Sequence, residues 1–120
     1  MKLLIVDDSL IIRNKINRNL LSKFNSILRA GNGVDALQIV SAEKPDFITM
    51  DLTMPKMDGV TCIGKIKKIS PKTHILVISA LADKATAIAA LSLGANGFLC
   101  KPFTDDELNQ AIRKTLEIVF

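Results

Sequence analysis

Short, nearly unbroken apolar runs recur along the chain: LLIV at 3–6, SILRA at 26–30, FITM at 47–50, HILVISA at 74–80 and GFLC at 97–100. Unbroken runs, in place of alternating ones, predict strands buried on both faces, hence a parallel sheet. Between them the apolar period lengthens to that of a helix. Residues 9–23 open on Ser9, a good N-cap, and carry Ile12, Ile16 and Leu20 on one stripe. Ala36, Leu37 and Val40 align within 33–43, and Val60, Ile63 and Ile66 within 59–69. The stretch 83–93 is Ala-rich and favours helix. In the last segment Thr104 and Glu107 form a capping box, followed by Leu108, Ala111, Ile112, Thr115, Leu116 and Val119 at helical spacing. Gly and Pro punctuate the connections. Strand and helix alternate five times, which predicts one open α/β domain with a parallel sheet and right-handed crossovers.

Ligands of such sheets bind at the carboxyl ends of the strands. Asp7 and Asp8 follow the first apolar run, Asp51 the third, Ser79 closes the fourth and Lys101 follows the fifth. Each alone reads as a cap, a turn residue or a satisfied hydroxyl. Their coincidence at four strand ends points to a shared site. Three carboxylates crowded together repel, and a hard divalent cation with oxygen ligands, Mg²⁺, would relieve them. Lys101 and Ser79 could then meet phosphoryl oxygens, while a carboxylate serves as nucleophile. FITM running straight into Asp51 has a purpose on this view: the strand holds the carboxylate against Asp7 and Asp8.

Composition changes this picture little. The 120 residues suit one domain, with 48% hydrophobic and 23% charged residues, no Trp and no Tyr, so the core must be mostly aliphatic. The net charge of +4 comes from scattered Lys and Arg, without the runs that mark a nucleic-acid arm, and no DNA-reading motif is present. Cys62 and Cys100 stand outside any zinc or redox spacing and read as two buried thiols of a reduced, cytoplasmic protein. No apolar run reaches membrane-spanning length and no signal peptide opens the chain.

LLIVDDS, AGNGVDAL, DLTMPKMDG, VISA and GFLCKPF, in this order, resemble the receiver domain of two-component response regulators, a group that includes single-domain chemotaxis regulators. The resemblance spans essentially residues 1–120. It implies a flavodoxin-like, doubly wound sheet of strand order 2-1-3-4-5 with five helices. It implies that Asp51 accepts a phosphoryl group from a histidine kinase or phosphotransfer protein. Asp7, Asp8 and Asp51 would form the Mg²⁺ pocket, with Asp8, Asp51 and the backbone carbonyl of Thr53 as direct ligands. Ser79 would hydrogen-bond the phosphoryl group and Lys101 would pair with it, often on a cis Lys101-Pro102 bond. Ser79 and Phe98 would be the switch residues. The fourth helix, fifth strand and fifth helix would then address an output protein, a C-terminal effector domain or, on phosphorylation, a second copy. The domain would be a phosphoacceptor that assists its own phosphorylation and hydrolysis and would not be an enzyme in the turnover sense. Phe98 stands where Tyr is frequent. Thr53 and Leu81 occupy lifetime-tuning positions, and the apolar Leu81 implies slow hydrolysis.

Other classes fit less well. A flavin or nucleotide binder of the same architecture wants a Gly-rich loop after the first strand, and DDSLIIRN repels anions. A phosphatase of the haloacid-dehalogenase kind would need an acid at Thr53. A degenerate receiver would not keep an intact pocket. The exposed part of the Ala-rich helix is either plain helix propensity or a patch for a partner.

Overall fold

The computed structural model describes the chain except residues 81–83 and 118–120, so Leu81 and Val119 lie outside the described residues. Five strands and five helices alternate: β1 Lys2–Val6, α1 Leu10–Leu20, β2 Ser26–Ala30, α2 Gly33–Glu43, β3 Phe47–Met50, α3 Gly59–Ile69, β4 His74–Ser79, α4 Lys84–Ser92, β5 Gly97–Cys100 and α5 Asp105–Glu117. All strands are parallel, in the order β2-β1-β3-β4-β5. This is the doubly wound, flavodoxin-like sheet implied by the resemblance. The sequence limits hold closely, except that α1 stops at Leu20 and β4 at Ser79.

Side chains alternate across the sheet and so build two cores. Leu4, Val6, Ile48, Met50, Ile75 and Val77 pack with Ala36 and Val40 of α2, Cys62, Ile63 and Ile66 of α3 and Ala90 of α4. Leu3, Ile5, Phe47, Leu76 and Ile78 pack on the other face with Ile16 and Leu20 of α1 and Leu108 and Ile112 of α5. Helix starts are fixed by side chains. Ser9 Oγ accepts from Ile12 N–H at 3.3 Å, Asn32 from Asp35 N–H at 2.9 Å and Asp58 from Thr61 N–H at 2.9 Å. The capping box closes both ways, with Thr104 N–H on Glu107 at 2.9 Å and Glu107 N–H on Thr104 Oγ1 at 3.1 Å.

Two sequence expectations need correction. Burial on both faces holds for β1, β3 and β4, whereas β2 and β5 are largely half-buried. They are the edge strands, flanked by a neighbour on one side only. For the same reason Cys100, at the end of β5, is exposed, and only Cys62 is a buried thiol. On α4, Ala90 is buried while Ile88 and Leu91 are 60% and 48% exposed, so helix propensity and an outward apolar patch coexist.

Thr49 sits between Ile5 and Leu76 in the sheet register and is buried, yet its Oγ1 has no hydrogen-bond partner. Valine keeps its shape without the hydroxyl. Thr49→Val should therefore raise stability by about 1 kcal/mol, read as a higher urea midpoint. A lower midpoint would mean that the hydroxyl is satisfied inside the protein.

Candidate functional site

Asp7, Asp51 and Lys101 stand one residue past the regular strands, where the sheet's backbone bonding continues. Asp7 N–H donates to the Ala30 carbonyl at 3.1 Å, Asp51 N–H to the Val6 carbonyl at 2.9 Å and Lys101 N–H to the Ser79 carbonyl at 3.0 Å. Each backbone is thus tied to the neighbouring strand before its side chain leaves the sheet. Alternation then sorts the side chains. Asp7 continues the Leu3–Ile5 side, Asp51 the Phe47–Thr49 side and Lys101 the Leu99 side, all above the core that α1 and α5 cover. Ser79 and Phe98 fall on the opposite side, with Val77 and the α2–α4 core.

Asp7, Asp8 and Asp51 converge, so that one carboxylate oxygen from each lies within 4.8 Å of the others. Asp7 and Asp51 are 1% and 5% exposed, and Asp8 is open to solvent. Lys101 Nζ lies 2.7 Å from Asp7 Oδ2 and 3.7 Å from Asp51 Oδ2. Asp7 Oδ1 accepts the Ser9 N–H at 2.9 Å, so both Asp7 oxygens are engaged. Asp51 Oδ1 has a longer bond, 3.3 Å, from Thr53 N–H. That leaves Asp8 and Asp51 freer to ligate a cation. One ammonium among three carboxylates leaves an excess of negative charge, and an all-oxygen donor set suits a hard cation. Asp7, Asp8 and Asp51 therefore fit a divalent metal.

The Asp51 loop is closed by Gly59, whose N–H bonds the Leu52 carbonyl at 2.9 Å. A β-carbon at 59 would collide with the Asp51 carbonyl oxygen and Leu52 Cα, so only glycine allows this close approach. The Lys101-Pro102 peptide is cis, as the resemblance implies. Ser79 is fully buried and Phe98 half-buried against the α2–α4 core.

Two cations that brace backbone next to the site escaped the sequence reading. Arg13 Nη1 donates to the Asp7 carbonyl at 2.6 Å, and Lys15 Nζ to the Phe103 carbonyl at 2.6 Å. Arg13 could have been found by its spacing, one helical turn beyond Ser9. Nothing in the sequence marks Lys15, because its partner is 88 positions away.

A family model described as the response regulator receiver domain matches residues 3–113. The chain belongs to that family, whose members act in two-component signalling. It is 39% identical over 116 residues to chemotaxis protein CheY of Bacillus subtilis, covering 96% of this chain and 97% of that protein. Among solved structures it resembles the CheY of a CheX–CheY–BeF₃–Mg²⁺ complex from Borrelia burgdorferi, at TM-score 0.92 and 31% identity, over 97% of this chain and 89% of that one. It also resembles a response regulator from Burkholderia pseudomallei solved with a phosphorylated aspartic acid, calcium and citrate. That match has TM-score 0.85 and 29% identity, over 98% of this chain and 70% of the other.

In metal-free protein the Asp51 carboxyl is pushed from 3.8 up to about 6, by burial first and then by Asp7, with Asp8 adding to it, while Lys101 and the Thr53 N–H pull it down. The folded value exceeds the unfolded one, so stability linked to this group is full below 3.8 and is lost as pH rises through about 6. With chelator present, wild-type stability should fall across that window relative to Asp51→Asn, and the variant should be the more stable at neutral pH. Urea denaturation at several pH values reads this. A wild-type-to-variant difference independent of pH would contradict the crowding.

Proposed function

We propose that the protein is a phosphorylation-activated switch in which Asp51 accepts a phosphoryl group from a histidine kinase or histidine phosphotransfer protein. The observation that carries this reading is the convergence of Asp7, Asp8 and Asp51 within 4.8 Å, with Lys101 alongside. Lys101 and a bound cation would favour the ionised, nucleophilic form of Asp51. Its oxygen attacks the donor's phosphorus and the donor's nitrogen or oxygen leaves with the bonding electrons.

Asp8, Asp51 and the Thr53 backbone carbonyl would hold Mg²⁺, which would neutralise phosphoryl oxygens when bound. Asp7 supports the pocket by charge and by holding Lys101 in reach. Once Asp51 is phosphorylated, Lys101 can exchange its Asp7 partner for a phosphoryl oxygen. Ser79 donates a hydrogen bond to another. Ser79 and Phe98 share one side of the sheet, so a shift of Ser79 toward the phosphoryl group frees space for the Phe98 ring. The surface of α4, β5 and α5 then changes toward its output partner, an attached effector domain or a second copy. The outward Ile88 and Leu91 support α4 as part of that surface. The switch works in the cytoplasm, assists its own phosphorylation and hydrolysis, and turns over no separate substrate. No described helix is long and apolar enough to cross a membrane.

Acetyl phosphate with Mg²⁺ should give a base-labile phosphoryl adduct by intact mass, absent in Asp51→Asn and in chelator. In the same assay Leu81→Glu, by adding a polar group that can orient water, should shorten the adduct's lifetime. An adduct that survives Asp51→Asn would overturn the assignment, and an unchanged lifetime in Leu81→Glu would remove Leu81 as a tuning residue.

A further inference from the structure

A polar seam joins α1 and the turn after it to the start of α5. Lys15 and Asn19 of α1 and Lys23 of the following turn reach the Phe103 carbonyl at 2.6 Å, Asp105 Oδ1 at 3.1 Å and Asn109 Oδ1 at 2.7 Å. Asn19 and Lys23 end on side chains of α5 itself. Lys15 ends elsewhere, on the backbone of the loop between Lys101 and α5. Its ammonium also lies 4.5 Å from the centroid of the Phe103 ring. Phe103 is 5% exposed and packs into the core between α1 and α5, so its carbonyl sits on a fixed support.

The loop is short. Lys101 N–H holds its start to Ser79, and the Thr104–Glu107 capping box holds its end. Between them Lys15 supplies a charge-assisted bond to the Phe103 carbonyl, two residues from Lys101. The same helix also steadies the acidic side of the pocket, through Ser9 N–H on Asp7 Oδ1 and Arg13 on the Asp7 carbonyl. The first turns of α1 therefore hold Asp7 directly and, through the Phe103 carbonyl, the loop two residues beyond Lys101. Packing alone does not call for a lysine here. Ile12 and Ile16 on the same helix meet the core as apolar side chains, and a methionine at 15 would fill the same space.

From this we infer that Lys15 is a positioning residue that sets the height of Lys101 over Asp51, and through it the rate of phosphoryl transfer. The inference rests on Asp51 being the phosphoacceptor. A shift of a charged group by a fraction of an ångström is costly in an organised site. Asp8 and Asp51 do not touch Lys15, so cation binding should be untouched.

The test uses full-length Lys15→Met, which keeps the stem but loses the charge and donor, and Lys15→Arg, which keeps both. Lys23→Met serves as a control, since it cuts the same seam away from the loop. Two readouts are taken: the rate of phosphorylation by acetyl phosphate at saturating Mg²⁺, and the side-chain nitrogen resonance of Lys101 with no phosphodonor present. Lys15→Met should slow phosphorylation by about three- to tenfold at unchanged Mg²⁺ affinity and should shift or broaden the Lys101 resonance. Lys15→Arg should stay within about twofold of wild type, and Lys23→Met should match wild type in both readouts. An unmoved Lys101 resonance in Lys15→Met overturns the inference. So does an equal loss of rate in Lys23→Met, which would indicate general loosening. A wild type that takes no phosphate would sink the functional reading instead, while the Lys101 resonance would still decide whether Lys15 positions it.

Discussion

The site depends on backbone hydrogen bonds that run past the regular strands. Asp7, Asp51 and Lys101 each donate an amide proton to a neighbouring strand, to Ala30, Val6 and Ser79. These bonds fix the point from which each side chain departs, to within the rigidity of a five-stranded parallel sheet. Without them the acidic residues would sit on free loops and would relax apart, since like charges gain by separating. The sheet keeps Asp7 and Asp51 close, and packing on both faces of β1 and β3 supports the sheet.

The stored repulsion is what makes the pocket useful. Burial and Asp7 raise the Asp51 carboxyl to about 6, and Lys101 offsets only part of that. A divalent cation would relieve what the protein alone leaves unbalanced. The division of side chains between the two faces adds the second element. The charged groups lie over the α1–α5 core, whereas Ser79 and Phe98 lie on the α2–α4 side. Under the proposed switch, a change in bonding at Asp51 would reach the opposite layer through Ser79.

Much of this could be read from the sequence because the governing interactions are local. Unbroken apolar runs placed the strands, single-residue caps at Ser9 and Thr104 placed helix starts, and strand-end polar residues pointed to the cluster of Asp7, Asp8, Asp51 and Lys101. What failed was non-local. The exposure of Cys100 and the half-burial of β2 and β5 follow from edge positions that a run of apolar letters does not encode. Lys15 goes unmarked in the sequence because its partner, the Phe103 carbonyl, arrives only once α5 has packed against α1. The unpaired Thr49 hydroxyl was hidden for the same reason, since its surroundings come from two other strands.

The most direct test of the carboxylate pocket is a calorimetric titration of Mg²⁺ into wild type and Asp8→Asn at neutral pH. Asp8 is exposed and supports no core contact, so its loss should leave the fold intact. A single Mg²⁺ site in the wild type, weakened about tenfold or more in the variant, is the predicted result. Equal affinity in the two proteins, or none in the wild type, would contradict a site built from the three strand-end carboxylates.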